Sequence, residues 1–430
     1  MALFLGCSNA GIIMTQQVFR SADKTHLDRL ISNGSRSGSK AGIAGLGPAA
    51  MTTQWEADGW RQQRTPGSYE CWNFDVLDSM GNGASVSFFD GLYFHPRYLK
   101  EESRFYRSGA HPNIKNVRDQ ALASFYPAVA ISLFQGGRRI AHAVNVYPAG
   151  SLRGEQGSPE IAIGPNRITL RQDGTFGVQM RAYPTDQSMF GPKARLDQMM
   201  FAELTFRPKL PGVQHSQPLR PNLEDGARHT WVVAAPICEV SGRIQQVNLR
   251  DDTLALDLPV EAMGFHDHIL GGSGICRKIK RIIRGHAVGD QWAIAWNHSV
   301  GEKCDGQTDS ICLFEADTPP LIIPHPQVAS VQRNTTHFLV PYPAQLSMHG
   351  SDLRGNAIEL LVNHHDVLES GPGLVRSTCS VQLTTRGVKR FVGMGLMETN
   401  STRCVGLPII SDWAAASIIP IEADDPLWRL

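Results

Sequence analysis

The sequence predicts an all-β protein with two antiparallel β-barrel or sandwich domains and few short helices. From Tyr69 onward, short runs of aromatic and β-branched residues alternate with clusters of Gly, Pro, Asn and Asp, which is typical of strands joined by turns. Helical periodicity is scarce along the whole chain. A strand, turn and strand pattern rich in tryptophan recurs in each half. Together these observations favour closed or packed sheets, which leave few exposed strand edges.

The strands follow in order as short apolar segments bounded by turn residues, and one of them ends at the turn signal Asp173-Gly174. The clearest predicted strands are 72–76, 85–89, 128–134, 167–170, 231–233, 253–256, 292–296, 311–314 and 357–362. Only Ala194 to Ala202 and the neighbourhood of Tyr98 to Phe105 read as possible helices. Both are short enough to connect strands rather than form a helical layer.

The 430 residues favour two domains or one large one. Residues 1–65 read as a partly flexible N-terminal extension, because positions 33–40 form a tract rich in Gly and Ser. We expect a first domain over 66–275 and a second over 276–430. They are predicted to meet near 270–290, where glycines precede the basic run 277–281. Strands are expected to resume at Trp292.

The two tryptophan-rich hairpins are candidates for an internal duplication. Trp72 to Val76 leads through Gly-Asn-Gly into Phe88 and Phe89, and Trp296 to Val300 leads through a polar loop into Leu313 and Phe314. Each copy is an aromatic strand, a polar turn and a second strand that ends in an acidic residue. A true repeat and two ordinary hairpins both explain this short match.

Composition and net charge limit the kinds of binding partner that we expect. With 42% hydrophobic residues, 41 Lys and Arg and 40 Asp and Glu, the chain is neither disordered nor a coiled coil. With a net charge of +1, the chain has no large excess of positive charge with which to bind nucleic acid or an anionic membrane. We therefore expect a small-molecule partner.

Cysteine usage and the N-terminus predict a soluble, cytoplasmic protein without stable membrane insertion. The eight cysteines lack a C-x-x-C pair or a short-range framework, so they read as reduced core residues. The apolar run Ala2 to Met14 has no basic segment before it and is too short to span a bilayer.

The densest polar cluster is His266-Asp267-His268, flanked by glycines. In a strand the two histidines share one face, so they could bind a metal, or one could act as a general acid held by a carboxylate. No spacing links them to further ligands such as His364-His365-Asp366, so no metal is expected. In the structural alternative, Asp267 caps backbone amides and both histidines pack internally.

Nucleotide cofactors are also not expected. The sequence has no P-loop, no G-x-S-x-G elbow, no H-E-x-x-H and no G-x-G-x-x-G at a strand-to-helix step. Aromatic residues near the first hairpin could line an apolar ligand cavity or pack in a plain β-core.

Three stretches resemble a known family. The segment 69–75, Tyr-Glu-Cys-Trp-Asn-Phe-Asp, is similar to that family's Tyr-Glu-Trp-Trp-Tyr-Phe-Asp opening, and 264–268 with Gly271 resembles its Gly-Tyr-His-Asp-His-Asn-Trp-Gly signature. Trp292 to Trp296 is similar to its following Trp-x-Trp strand. The family is the two-domain lipocalin-like group of carotenoid 1,2-hydratases (hydroxyneurosporene synthases) and fungal Diels-Alderases. The resemblance implies two barrel-like domains, no cofactor and a hydrophobic ligand.

Two departures from the family pattern make hydration less expected. Ile269 and Leu270 replace the signature's Asn and Trp, and Trp296-Asn297-His298 offers no carboxylate where hydratase-like members use an acid. A pericyclic reaction needs no strong acid, since folding a flexible polyene and polarising one carbonyl can supply most of the acceleration. The first hypothesis is therefore a cofactor-independent cyclase or isomerase acting on a polyene, polyketide or terpenoid intermediate of secondary metabolism.

Two other functions remain open at this stage: a hydro-lyase that adds water to an alkene, and a carrier of a hydrophobic ligand without chemistry. The candidate catalytic residues are His266, Asp267, His268 and His298. The candidate substrate contacts are Trp72, Phe74, Phe89, Trp292 and Trp296. The oligomeric state is not predicted.

Overall fold

The computed structural model of the protein consists almost entirely of antiparallel sheets. It describes residues 57–107, 115–188, 191–218, 228–272, 279–301, 308–336, 340–352, 354–371, 373–401, 412 and 414–428. These residues belong to one compact unit, Ile43–Leu430. The predicted all-β class, with antiparallel sheets and few short helices, is confirmed.

The first sheet is built mainly from the N-terminal half. Its 13 strands run in the order β24-β4-β3-β2-β1-β14-β13-β11-β8-β7-β6-β5, with β12 also pairing with β13. The strands of this half are β1 (Tyr69–Leu77), β2 (Gly83–Asp90), β3 (Ala128–Gln135), β4 (Arg138–Val146), β5 (Leu152–Gly154), β6 (Ile161–Ile163), β7 (Asn166–Leu170), β8 (Phe176–Ala182), β9 (Thr185–Ser188), β10 (Gly191–Ala194), β11 (Gln198–Pro208), β12 (Val213–Pro218), β13 (Arg228–Asn248) and β14 (Thr253–Gly271), of which β9 and β10 form a separate pair.

The second sheet has nine strands in the order β18-β17-β16-β15-β23-β22-β21-β20-β19. The strands are β15 (Ile279–Val288), β16 (Trp292–Gly301), β17 (Thr308–Glu315), β18 (Leu321–Pro324), β19 (Gln327–Thr335), β20 (Pro341–Ser351), β21 (Ala357–Ser370), β22 (Leu374–Thr385) and β23 (Val388–Ser401). The chain then returns to the first sheet, where β24 (Ile419–Pro420) pairs in parallel with β4.

Helices are few and short among the described residues. They are α1 (Pro96–Arg107), α2 (Lys115–Gln120) and 3₁₀ turns at Ala123–Phe125 and Pro426–Trp428. The helix predicted near Tyr98 to Phe105 is confirmed by α1. The one predicted over Ala194 to Ala202 is wrong, because this stretch ends β10 and begins β11, whose Met200 and Ala202 are buried against the first core. Pairing with β8 and β13 overrides the local helix preference.

The predicted strands are present, but strand structure resumes before Trp292. Ile279 to Arg281, the end of the basic run, already lies in β15. Ile279, Ile282 and Ile283 are buried there, so the isoleucines anchor the strand despite the charges between them. The rest of the run, together with Ser273 and Gly274, falls outside the described residues. The domain boundaries remain a prediction.

The order of the strands is similar in the two sheets. It makes different strands equivalent from those that the predicted internal duplication aligned. In the first sheet β1 lies between β2 and β14, and in the second β15 lies between β16 and β23. By position, β1 therefore corresponds to β15. The strand of Trp72 and the strand of Trp296, which is β16, occupy different places in their sheets, so the predicted alignment of the two hairpins does not follow the topology.

Each sheet encloses its own apolar core, and a third cluster joins the two sheets. In β8 the buried residues alternate with partly exposed ones, as expected when one strand face points inward. The joining cluster includes Trp231, Phe265 and Ile269 of the first sheet and Ile282 and Phe314 of the second. Packing between these faces places the two sheets around the cavity described below.

Within the described part of the chain, no helix combines the length and apolarity needed to cross a membrane. The four cysteines that the structure describes are buried and unpaired: Cys71, Cys238, Cys312 and Cys379. The other four lie outside the described residues.

Candidate active site

The central feature of the first sheet is the pairing of β1 with β14. In this register Trp72 lies opposite His268, Asn73 opposite Asp267 and Phe74 opposite His266. Because successive side chains of a strand point to opposite faces, both histidines lie on one side of the sheet and Asp267 on the other. The shared face of the two histidines, predicted from their spacing, is confirmed.

The histidine face points into the first core. His266 stacks on Phe74 with ring centroids 3.8 Å apart, and His268 stacks on Trp72 at 4.4 Å. The His266 Nδ1 is 2.8 Å from the carbonyl of Asn73, and its Nε2 is 3.0 Å from Asp58 Oδ2. All of these side chains are shut off from solvent, so the histidines are part of an enclosed polar cluster.

Two carboxylates, rather than Asp267, face His268 in this cluster. Its Nδ1 lies 3.6 Å from Asp58 Oδ1 and its Nε2 lies 3.5 Å from Glu70 Oε2, and neither nitrogen makes a hydrogen bond to a residue that the structure describes. Burial lowers the pKa of His268 to about 4 against the opposing effect of Asp58. The arrangement predicted from sequence, with Asp267 orienting a histidine, is therefore replaced by Asp58 and Glu70, because the strand pleat separates adjacent residues.

Glu70 and the neighbouring Asp90 have raised pKa values. Burial raises the pKa of Glu70 to about 7, although the backbone N–H groups of Arg61 and Gln63 donate to it. Burial and the nearby Glu70 raise the pKa of Asp90 to about 7. For His266, burial would lower the pKa, but the Asp58 carboxylate outweighs it and the pKa is raised.

The Asp267 face begins a network of ionic hydrogen bonds. Asp267 accepts hydrogen bonds from Asn73 Nδ2 and Trp231 Nε1, both at 2.8 Å, and from Arg284 Nη1 at 3.3 Å. Arg284 also donates to Glu398 Oε1, through Nε at 3.3 Å and Nη2 at 3.2 Å. Asp267 therefore links β1, β13 and β14 of the first sheet to β15 of the second.

The network continues across the second sheet and returns to the first. Arg376 donates from Nη2 to Glu398 at 2.7 Å and from Nη1 to Glu369 at 2.8 Å. Arg139 of β4 donates to the other oxygen of Glu369. Acids and arginines thus alternate from Asp267 to Arg139, three of each, so the network is electrically balanced.

This network forms one wall of a cavity of about 150 Å³. The charged lining residues are Arg139, Arg284, Glu369, Arg376 and Glu398. The apolar part of the lining includes Phe89, Tyr93, Phe94, Val144 and Leu374, while Asn73, Ser132, His142 and Asn400 add polar groups. An apolar pocket with a few convergent polar groups is the usual form of a small-molecule site.

Arginines keep the lining carboxylates ionised. Burial would raise the pKa of Glu398, but Arg284 and Arg376 outweigh it and lower the pKa to about 2. Burial would also raise the pKa of Glu369. The positive charge of Arg139 is the main effect that outweighs burial, so the pKa of Glu369 is lowered to about 2. Neither carboxyl therefore carries a proton at neutral pH.

The candidates from sequence are spread over three places. His266, His268, Trp72 and Phe74 lie in the enclosed first core, and Asp267 adjoins the cavity through Asn73 and Arg284. Phe89 lines the cavity. The cavity therefore adjoins two of the nine candidates within the described residues.

The candidates from the second sheet lie around a separate core. Trp296 is fully buried there and Trp292 packs beside it. His298 Nδ1 lies 2.6 Å from Asp309 Oδ1 across the β16–β17 pair. Gly285 allows the tight packing of Trp296, because a Cβ at this position would lie 2.4 Å from the indole Cζ2.

Sequence reasoning missed the residues that form the ionic wall. Arg284, Glu369, Arg376 and Glu398 each lie in a strand among apolar or small residues. A charged residue at a position that alternation assigns to a buried face is the signal that could have found them. Their ionic partners lie on other strands, so this signal identifies the residues but does not show which of them pair.

No cluster of three or more His, Cys, Asp or Glu side chains in the described residues has an arrangement that could hold a metal ion.

A search of family models gives no match to the chain. Solved structures that align with the chain over most of its length include the following three. An AttH protein of Nitrosomonas europaea has 14% identity and a TM-score of 0.49, with 77% of this chain and 92% of that one covered. CghA with Sch210972 has 12% identity and a TM-score of 0.43, with 78% and 89% covered. Kievitone hydratase of Nectria haematococca has 10% identity and a TM-score of 0.47, with 86% and 96% covered.

A related sequence aligns with this chain over most of the length of both proteins. The hydroxyneurosporene dehydrogenase of Chlorobaculum tepidum is 25% identical over 374 residues, which cover 80% of this chain and 87% of that protein. The matched length far exceeds the three short motifs, so the similarity is not confined to them. The chain is therefore similar over most of its length to a hydroxyneurosporene enzyme, in agreement with the resemblance of its motifs.

Proposed function

We propose that the protein is a cyclase or isomerase that folds a hydrophobic polyene, polyketide or terpenoid intermediate in the cavity between its two sheets. Its similarity to hydroxyneurosporene dehydrogenase supports an enzymatic role. The cavity supplies both parts that such a reaction needs: an apolar lining that restricts a flexible chain, and charged N–H donors at one wall.

The observation that carries this proposal is that arginines pair with both carboxylates of the wall. Glu369 and Glu398 have pKa values of about 2, so neither can protonate an alkene as a hydration step would require. Arg284 uses three of its five N–H groups in hydrogen bonds to described residues. The wall therefore favours hydrogen-bond donation to a substrate over proton transfer from a carboxylic acid.

The mechanism follows from this arrangement. The apolar lining, including Phe89 and Phe94, holds the carbon chain in a folded conformation near that of the transition state. A free N–H of Arg284 donates to a carbonyl oxygen, which withdraws electron density from the conjugated system and lowers the barrier to bond formation. Asp267 and Glu398 fix the guanidinium, so little reorganisation is needed during the reaction.

The test uses the full chain with a panel of linear conjugated polyenes that carry a carbonyl group. A product with the mass of the substrate and a different retention time is expected from cyclisation or isomerisation. A product heavier by one water would replace the proposal with a hydro-lyase, and tight binding without any product would support a carrier.

A matched pair of variants links the activity to the wall. Arg284→Met should lower turnover by roughly 10²-fold, the order found when one donor to a developing oxyanion is removed. Arg243→Met is the control, because Arg243 pairs with Asp257 through two hydrogen bonds on an exposed strand surface. Equal turnover in both folded variants would contradict the role of Arg284.

A further inference from the structure

The cavity contains a second polar feature, in which a histidine faces a serine and an ionised carboxylate. His142 of β4 lies directly across from Ser132 of β3, and Ser132 Oγ is 2.8 Å from His142 Nδ1. The same hydroxyl is 3.1 Å from Glu369 Oε2. All three residues line the cavity.

The hydrogen-bond chain assigns the tautomer of the imidazole. Glu369 is ionised and can only accept hydrogen bonds, so the single hydroxyl proton of Ser132 points to Glu369. Ser132 Oγ must then accept from His142, which places the ring proton on Nδ1. The reverse assignment would bring a lone pair of the hydroxyl against the carboxylate. The other nitrogen, Nε2, therefore carries the lone pair.

This lone pair is unusual among the polar groups of the wall. The hydrogen bond between the His142 ring and a side chain is at Nδ1, which leaves Nε2 as the acceptor of a ring that lines the cavity. Both oxygens of Glu369, by contrast, accept hydrogen bonds from arginines. Arg139 and Arg376 offer only N–H donors. The cavity thus combines cationic donors with one neutral acceptor on the histidine ring.

We propose that the substrate carries a hydroxyl or enol O–H group that donates to His142 Nε2 while its carbonyl is held by arginine N–H groups. This inference rests on the proposed function, since it concerns the same cavity. It narrows the substrate class to apolar chains in which a hydrogen-bond donor accompanies the carbonyl acceptor. His142 acts here as a binding residue that distinguishes an O–H group from its ether.

The protonation state of the ring agrees with this role. Burial lowers the pKa of His142 to about 4, with Arg139 and Arg376 acting in the same direction and Glu369 and the carbonyl of Ile131 opposing them. The imidazole is therefore neutral and able to accept at neutral pH. Acceptance should weaken as the pH falls toward 4, because the protonated ring has no free lone pair.

The experiment measures binding of a fluorescent linear tetraene as its primary alcohol and as the matching methyl ether. We expect the alcohol to bind about five- to tenfold more tightly, which corresponds to one hydrogen bond in a buried site. His142→Leu should reduce this ratio to about one with little change for the ether. His349→Leu is the control, because His349 forms a similar pair with Ser347 at an exposed position in the second sheet.

Each outcome decides between defined alternatives. Failure of both probes to bind would overturn the proposed ligand cavity and this inference with it. Equal binding of alcohol and ether to the wild type would overturn the inference alone. If His142→Leu does not fold, Ser132→Ala replaces it. Without the Ser132 hydroxyl the ring proton is no longer held on Nδ1, so the preference for the alcohol over the ether should fall. An unchanged preference would contradict the assigned tautomer.

Discussion

The two faces of the β1–β14 pair hold polar clusters of opposite character. On the inner face, His266 and His268 lie among Asp58 and Glu70, all fully buried. On the outer face, Asp267 joins an alternating row of acids and arginines beside the cavity. The two clusters are separated only by the thickness of one sheet.

The comparison teaches how charge partners decide the state of a buried carboxyl. Glu398 and Glu70 are both nearly inaccessible. Two arginines hold the pKa of Glu398 at about 2, whereas backbone N–H groups do not offset the burial of Glu70, whose pKa rises to about 7. Glu398 on the outer face is therefore ionised near neutral pH, whereas Glu70 on the inner face gains or loses its proton in that range.

The largest expected effect comes from breaking the outer network at its centre. Glu398→Ala leaves Arg284 and Arg376 without their shared partner, and an uncompensated buried charge costs about 3–5 kcal/mol. Urea unfolding should show this loss relative to wild type. Asp257→Ala, which breaks an exposed pair with Arg243, should cost about 1 kcal/mol or less. Similar losses in both variants would remove the distinction between buried and surface pairs.

Asp267→Asn should have a smaller effect on the free energy of unfolding. The amide keeps the shape of the side chain, but Arg284 loses one of its two acidic partners and retains Glu398. A loss of about 1–3 kcal/mol is expected, the usual range for a hydrogen bond to a charged group. A loss as large as that of Glu398→Ala would indicate that Asp267, rather than Glu398, holds the network together.

The two faces should respond to pH in opposite directions. Glu70 is stabilised in its neutral form, so its contribution is present below pH 4.5 and is lost as the pH rises toward 7. Glu398 is stabilised in its charged form, so its contribution is present above pH 4.5 and is lost as the pH falls toward 2. The slope for each group approaches about 1.4 kcal/mol per pH unit.

The measurement is the difference in unfolding free energy between wild type and the Glu70→Gln variant, determined from pH 4.5 to 7. Taking the difference removes the contributions of buried histidines such as His268, whose pKa is lowered from 6.5 to about 4 on folding. The advantage of wild type over Glu70→Gln should shrink as the pH rises. An advantage that stays constant or grows would mean that Glu70 is ionised in the folded protein over this range.

The smallest effect is expected at His268. His268→Phe keeps a ring that can stack on Trp72 and removes two nitrogens that have no hydrogen-bond partner. Stability should therefore change by about 1 kcal/mol or less, since replacing an unpaired polar group by an apolar one of similar shape is close to neutral. Turnover should also be retained. Loss of turnover with an unchanged melting temperature would restore His268 as a catalytic candidate.

The sequence by itself determined the all-β class, most strand positions and the shared face of His266 and His268. These are local properties: a strand repeats every two residues, and alternation and turn residues show it within a short segment. The same reasoning failed at Ala194 to Ala202, where neighbouring strands impose an extended conformation.

Only the tertiary structure decided which face of β1 and β14 meets the cavity and which charges meet there. Arg139 and Glu369 are 230 positions apart, and Arg284 and Glu398 are 114 apart. The spacing of residues along one strand contains no information about such partners. They are brought together by the packing of two sheets, and the balance of burial and opposite charge at that contact then sets the protonation state of each group.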